Sequence, residues 1–356
     1  MALKIDHVSK KLGDFDLKDA CLEVANGEYF VLLGPTGAGK TVLLEVIMGF
    51  HRPDKGKIVL NDQDITNMQV DKRGIAYVPQ NCPLFPHMNV LENVEFGLKM
   101  QQATSVDRSK AVEKMLDVMG LEGKAKMMPS TLSGGERQKT VLARVLVTEP
   151  KVVLLDEPLA SIDAETSRNL RIELKRINLE FKVAFLHVTH DQIEAFSLAD
   201  RLAIMRGGKI VQTGAPNDIL SNPADELVAR FLGYQNVLHV RLVKHEGGWS
   251  EVSADGIPIK LKGELTSEAA TVAIRPEDLV IATGAPPASG RWNSLEGKVQ
   301  EYTNLGSVVE VDVDVGLLLR ISIDKRTFLE LNLIEGKSVW VAFKPESVRI
   351  VSLRQA

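Results

Sequence analysis

The sequence predicts an α/β core carrying a helical insertion, followed by an all-β tail. Three observations lead there. Apolar runs bounded by turn signals alternate with helical patterns through about residue 220. Between Val90 and Glu149 the strand signal gives way to helical periodicity, and after Gly233 short alternating strands take over. The expected domains are residues 1–233, with a helical subdomain at about 88–150, and residues 234–356. A chain of 356 residues is too long for one ordinary domain and suits two.

Composition narrows the class. With 44% hydrophobic and 25% charged residues, the chain can bury a sizeable core. A formal net charge of -4 gives no sign of a broad nucleic-acid surface, so no nucleic-acid partner is expected. The two cysteines, Cys21 and Cys82, lie far apart and outside any CxxC spacing, which indicates neither a disulfide framework nor a zinc site. The opening MALKIDHVSKKLGDF lacks the apolar core of a signal peptide. Apolar runs such as Val152–Leu155 fall far below the roughly 20 residues that span a bilayer. Service to a membrane would come from outside it, through a partner.

Within the core, Tyr29–Leu33, Gly74–Val78, Val152–Leu155 and Val183–Val188 read as short strands. LAIMRGGKIVQTG reads as a hairpin turning at Gly207 and Gly208. The tail holds a weak repeat. Asn236–Leu242 (NVLHVRL) resembles Asn293–Val299 (NSLEGKV), and Ala273–Ile281 (AIRPEDLVI) resembles Ala342–Ile350 (AFKPESVRI). The offsets, 57 and 69, differ by 12, so a duplicated β unit needs a small insertion in its second copy; chance similarity is the alternative. GAPPASG, Gly284–Gly290, reads as the linker between copies.

The most specific local signal is GPTGAGKT: Gly34, Pro35, Thr36, Gly37, Ala38, Gly39, Lys40 and Thr41. It follows the strand YFVLL and precedes the helical pattern that Val42 opens, the context a phosphate-binding P-loop requires. Glycines let the backbone N–H groups turn inward around phosphates, and the helix N-terminus adds a favourable dipole. Lys40 would reach the β- and γ-phosphates, and the Thr41 hydroxyl would ligate Mg²⁺. A second element, VVLLDEP (Val152–Pro158), is a buried strand ending in two acids. Adjacent strand residues point to opposite faces, so the acids cannot share one task. Asp156 suits Mg²⁺ held through water, and Glu157 suits polarising an attacking water. Between these elements lies LSGGERQ, Leu132–Gln138. Ser133 and Glu136 have capping-box spacing, ahead of a helix whose Val141, Leu142, Val145 and Leu146 face a core. The N–H groups of Ser133, Gly134 and Gly135 would then form a second anion site.

With LSGGERQ beside the P-loop, the chain resembles the ATP-binding-cassette family, whose signature is LSGGQ or a close variant. The resemblance implies a RecA-like P-loop NTPase core with a helical subdomain that hydrolyses ATP with Mg²⁺. Gln80, ending GIAYVPQ, matches the Q-loop glutamine that contacts Mg²⁺. SIDAET places Ser161 and Asp163 at the D-loop, and His190 matches the switch histidine at the γ-phosphate. His187, three residues before it on a strand, faces the other side, so the two make no metal pair. The implied catalytic set is Glu157, His190, Lys40 and Gln80. Nucleotide contacts fall on Gly34 to Val42, Ser133, Gly134, Gly135, Glu136 and Asp163, and metal contacts on Thr41, Gln80 and Asp156. Where the family places an aromatic against adenine this chain has Leu12, with Phe15 on the neighbouring turn as a substitute.

In the family, each nucleotide lies between the P-loop of one subunit and the signature helix of another. One copy of each motif here implies a head-to-tail homodimer. The segment after Gln80 would dock a short helix of a transmembrane permease through Leu84, Phe85 and Met88; a buried core turn is the alternative. The implied place is the cytoplasmic face of the membrane, as a peripheral subunit, with an external solute-binding protein linked indirectly. The tail resembles the paired OB-like, TOBE-type barrels of importer ATPases for oxyanions, iron, polyamines and sugars. Through GEYFVLLGPTGAGKT, FLGYQNVL and NSLEGKV the whole chain is most similar to molybdate/tungstate importer ATPases. Sulfate, iron, polyamine or another solute is the alternative cargo. An oxyanion ligand of the tail would meet Arg291, Asn293, Ser294, Lys344 and Ser347. Related molybdate-binding domains have Ser-Ala-Arg-Asn and Lys-Ala-Ser where this chain has Gly290-Arg291-Trp292-Asn293 and Lys344-Pro345-Glu346-Ser347, and Glu346 facing the site would repel an anion. A tail serving only dimerisation is the alternative.

Other classes fit less well. Chromosome-type repair cassettes insert a long coiled coil, whereas 92 residues separate Lys40 from Ser133 here. Translation-type members carry two cassettes. A regulatory GTPase would need an NKxD motif, which is absent from the sequence. A nucleotide-binding module without turnover would have no use for Glu157 and His190.

Overall fold

The computed structural model describes residues 1–80, 83–101, 104–160, 162–284 and 292–354. The chain forms two compact units, Met1–Pro216 and Asn217–Ala356. This division precedes the expected one after Gly233, because the helices in between belong with the β tail. There Tyr234 donates its hydroxyl to Leu220 O (2.6 Å) and Arg275 donates to Leu232 O (3.2 Å).

The first unit opens with β1 (Leu3–Leu12) and β2 (Phe15–Val24), then β3 (Tyr29–Leu33), which leads into α1 (Lys40–Met48). Next come β4 (Lys55–Leu60), β5 (Gln63–Asp64) and β6 (Ile75–Val78). The helical stretch holds α2 (Val90–Met100), α3 (Ser105–Val118) and α4 (Gly134–Leu146). It is followed by β7 (Val152–Asp156), α5 (Ala164–Phe181), β8 (Ala184–Thr189), α6 (Gln192–Leu198), β9 (Arg201–Arg206) and β10 (Lys209–Gly214). One sheet runs β10-β9-β3-β8-β7-β6, parallel except for β10. Every residue of β3, β7 and β8 is buried, as expected for central strands of a parallel sheet covered on both faces. The β9–β10 turn uses Gly207 and Gly208, both in the left-handed region.

A second, antiparallel sheet runs β2-β1-β4-β5. Its first two strands carry no clean alternation of apolar and polar residues, and the reason is visible in the pairing. Register shifts between Ile5 and Val8 and between Val8 and Lys10 break the period of two. Leu3, Ile5, Val8, Leu17, Ala20 and Leu22 still face a core shared with α1 and the parallel sheet.

The second unit holds α7 (Pro216–Ser221), α8 (Glu226–Phe231) and two β copies. The first copy is β11 (Asn236–Glu246), β12 (Trp249–Ala254), β13 (Ile257–Lys262), β14 (Ala269–Ile274) and β15 (Val280–Ala282). The second is β16 (Asn293–Asn304), β17 (Val308–Asp314), β18 (Leu318–Asp324), α9 (Lys325–Glu330), β19 (Ser338–Phe343) and β20 (Arg349–Arg354). The repeat is real, and α9 lies where the second copy needs its insertion. The copies also exchange their last strands. The sheets run β13-β12-β11-β14-β20 and β15-β19-β16-β17-β18. The linker Gly284–Gly290 lies outside the described residues from 285 onward.

Candidate active site

The P-loop lies where strand becomes helix. Gly39, the residue before α1, has φ 102, in the left-handed region that favours glycine. A Cβ there would collide with the Phe15 ring, and one on Gly34 with the Met205 carbonyl, so both positions need glycine for space. Phe15 thus seats on the loop at Gly39, and Leu12, its partner across the β1–β2 turn, is half-buried. Pro35, Thr36 and Gly37 are exposed, Ala38 is buried, and Val42 is half-buried on α1.

Lys40 is buried, and its ammonium donates to Gly34 O (2.8 Å) and Pro35 O (3.1 Å), inside the loop's own curve. Burial lowers its pKa, against the opposing charges of Glu157 and Asp156. Thr41 donates its hydroxyl to Asp156 Oδ1 (3.3 Å), and Tyr77 donates to Oδ2 (3.2 Å). Burial holds the Asp156 carboxyl above the ordinary range.

Glu157 has φ 47, a left-handed backbone that few non-glycine residues adopt, and its N–H donates to Val188 O (2.9 Å). The turn gives neighbouring acids different surroundings. Gln80 Nε2 donates to Glu157 Oε2 (3.1 Å), His190 Nδ1 lies 3.1 Å from Oε1, and Lys40 Nζ lies 3.9 Å from Oε1. Six side chains predicted from separate motifs therefore meet: Lys40, Thr41, Gln80, Asp156, Glu157 and His190. Tyr77, which donates to Asp156, is a site residue that nothing in its spacing marks; it sits on β6, just before Gln80. His187 is fully buried behind this cluster, with Nδ1 2.9 Å from the Tyr29 hydroxyl and Nε2 3.3 Å from Glu194 Oε2.

The signature residues are organised locally. Ser133 caps α4, its Oγ accepting from Glu136 N (3.3 Å) while its own N–H donates to Glu136 Oε2 (2.8 Å). This corrects one expectation: Ser133 N–H is taken by the capping box, so the helix-end anion site reduces to Gly134 and Gly135. Glu136 also pairs with Lys124 (3.3 Å). Asp163 caps α5, accepting from Thr166 N (2.9 Å), and Ser161 lies outside the described residues. Of the expected docking residues, Leu84 is buried in its own unit. Phe85 is half-buried against Phe96 (4.5 Å between centroids) under Arg144, and Met88 is half-buried.

In the tail, one expected anion contact, Asn293, is committed elsewhere. Asn293 is buried, and its amide is spent on Lys260, accepting from N (2.7 Å) and donating to O (2.8 Å). Arg291 lies outside the described residues. Lys344 sits 5.4 Å over the Trp292 ring and, with Glu346, lines a cleft of about 1030 Å³. Ser294 is exposed and Ser347 half-buried.

The ABC transporter family model matches residues 17–160, and the TOBE domain model matches residues 272–351. The chain is 38% identical over 353 residues to the molybdate/tungstate import ATP-binding protein of Pyrococcus abyssi, covering 98% of this chain and 99% of that one. Its identity to the protein of the same description from Thermococcus kodakarensis is 43% over 303 residues, covering 84% and 89%. The sulfate/thiosulfate import ATP-binding protein of Bacillus cereus is 36% identical, with 98% of each chain covered. A solved ATP-binding cassette of an ABC transporter, in its ADP conformation, superposes with a TM-score of 0.57 at 26% identity, over 65% of this chain and 97% of that one. The chain belongs to the ATP-binding subunits of ABC transporters, carries a TOBE-type tail and is an ATPase.

Proposed function

We propose that this chain powers import of molybdate or tungstate through a transmembrane permease, as a head-to-tail homodimer on the cytoplasmic face of the membrane. The observation that carries the ATPase mechanism is the Glu157 carboxylate, held between Gln80 and His190 with Lys40 beside it. The cargo comes from the relatives' descriptions, which name molybdate/tungstate at 38% identity over nearly the full chain. Sulfate, in the description of a relative at 36%, is the runner-up.

The donor set suits a magnesium nucleotide: a glycine-lined loop, an inward lysine, a hydroxyl and a buried carboxylate. Thr41, Asp156 and Gln80 would hold Mg²⁺, which supplies neutralisation of phosphate charge. Lys40 exchanges the Gly34 and Pro35 carbonyls for phosphate oxygens. Glu157 orients the attacking water and accepts its proton, while His190 stays at the carboxylate to meet the γ-phosphate. Gly134 and Gly135 of a second chain, with Ser133 and Asp163 framing them, complete the phosphate shell. Phe85 and Met88 serve the permease contact. Of the tail's proposed oxyanion contacts, Lys344 lines a cleft of mixed charge, Ser294 is exposed and Ser347 half-buried. Calorimetry of the full chain with tungstate, molybdate and sulfate tests them, and no heat with any would leave the tail an assembly domain.

Glu157→Gln tests the mechanism. It keeps a carbonyl acceptor and removes the base, so ATP binding should persist while turnover falls by a factor of about 100 or more. The variant should also accumulate as an ATP-bound dimer on size exclusion. Wild-type phosphate release would overturn the assignment.

A further inference from the structure

We propose that His7, Asp19 and Cys21 form a surface site for a thiophilic divalent cation of the zinc class. The residues come from both strands of the β1–β2 hairpin. Ile5 pairs with Leu22 and Val8 with Ala20, so Asp6 and His7 together face the single residue Cys21. One step on, Val8 pairs with Ala20 and Lys10 with Leu17, so Ser9 faces both Lys18 and Asp19. Each strand thus carries one extra residue, and His7 (φ 52) and Asp19 (φ 50) take the left-handed conformation there. The two bulges keep the apolar residues on the core face and turn three ligating side chains outward together.

The distances fit a metal. His7 Nδ1 lies 2.8 Å from Asp19 Oδ1 and 3.5 Å from Cys21 Sγ, and all three donor atoms lie within 4.8 Å of one another. Tetrahedral zinc, with bonds of about 2.0 Å to nitrogen and oxygen and about 2.3 Å to sulfur, sets donor separations of about 3.3–3.5 Å. The nitrogen–sulfur pair already has that separation, and the nitrogen–oxygen pair needs to open by about half an ångström. One imidazole, one carboxylate and one thiolate carry two negative charges, matching a dication. The thiolate selects zinc over the hard magnesium that oxygen ligands favour at the nucleotide. All three residues are exposed, so water takes the fourth position. Spacing along the chain hides the site, because only strand pairing joins residues 7, 19 and 21.

Cobalt(II) titrated into the reduced, nucleotide-free full-length chain tests this. One equivalent should produce thiolate-to-cobalt charge-transfer absorption and the strong visible bands of a four-coordinate ion, both displaced by zinc. Cys21→Ser should abolish the charge-transfer band, His7→Ala should weaken binding by at least about tenfold, and Cys82→Ser should change neither. An unaltered circular dichroism spectrum shows that the variants fold. Absence of a thiolate band, or a band that survives Cys21→Ser, overturns the proposal.

Discussion

At Asp156 the carboxylate is buried with two hydroxyl donors, Thr41 and Tyr77, and a second acid next to it in sequence. Burial raises its pKa above the ordinary 3.8, and the charge of Glu157 adds to the effect. A carboxyl whose folded value exceeds its unfolded one contributes stability that is complete below about pH 4 and is lost as pH rises through the folded value. The ionised group therefore burdens the nucleotide-free fold at neutral pH. Asp156→Asn should stabilise the nucleotide-free chain near pH 7 by on the order of 1 kcal/mol, with the difference vanishing in acid. Urea unfolding across the pH range reads this, and the same variant should lose the stabilisation that magnesium nucleotide gives the wild type. A variant less stable at pH 7 would show that the hydroxyl contacts outweigh the buried charge. That the two acids of VVLLDEP differ was legible in the sequence, but for another reason than strand alternation: Glu157 lies past the end of β7 with φ 47, and the left-handed turn separates it from Asp156. The Tyr77 contact was not legible, because it depends on β6 lying beside β7.

α1 shows the same division between local and distant information. Its start is written in GPTGAGKT, but its end is held from elsewhere. Arg73 is buried and donates to Val46 O (3.3 Å) and Ile47 O (2.5 Å) in the last helical turn, and to Thr66 O and Met68 O (both 3.0 Å). Helix ends leave carbonyls without intrahelical partners, and a cation among them offsets both the hydrogen-bond deficit and the negative end of the dipole. Arg73→Leu removes these donors while keeping an apolar side chain. It should cost about 2–4 kcal/mol, read as a lower midpoint in thermal unfolding. ATP affinity should fall as well, since α1 begins at Lys40. The antiparallel sheet was harder to read from sequence for a related reason: the bulges at His7 and Asp19 break the alternation that marks a strand, while pairing keeps the apolar face intact.

In the second unit, duplication was legible and exchange was not. Similar segments reveal two copies, but nothing in one copy says whose sheet its last strand joins. β20 pairs with β14 of the first copy, and β15 pairs with β19 of the second. The asparagine heading each copy reaches across in the same way. Asn236 accepts from Arg320 N (2.7 Å) and donates to Arg320 O (2.8 Å), as Asn293 does with Lys260. Both asparagines are buried, and one hydrophobic core contains residues of both copies, from Val240 to Val348. Neither copy can then bury its apolar surface alone, and an edge strand left unpaired adds exposed backbone donors and acceptors. Asn293→Ala should cost about 1–3 kcal/mol by leaving the Lys260 amide unpaired inside the unit. A chain ending at residue 284 is the stronger test, because it keeps the first copy whole in sequence and removes everything it pairs with in the second. Its amides from 236 to 282 should exchange at unfolded rates, while β3, β7 and β8 stay protected. Protection surviving in β11, β12 and β14 would show that the first copy folds unaided, and that the exchanged strands only decorate it.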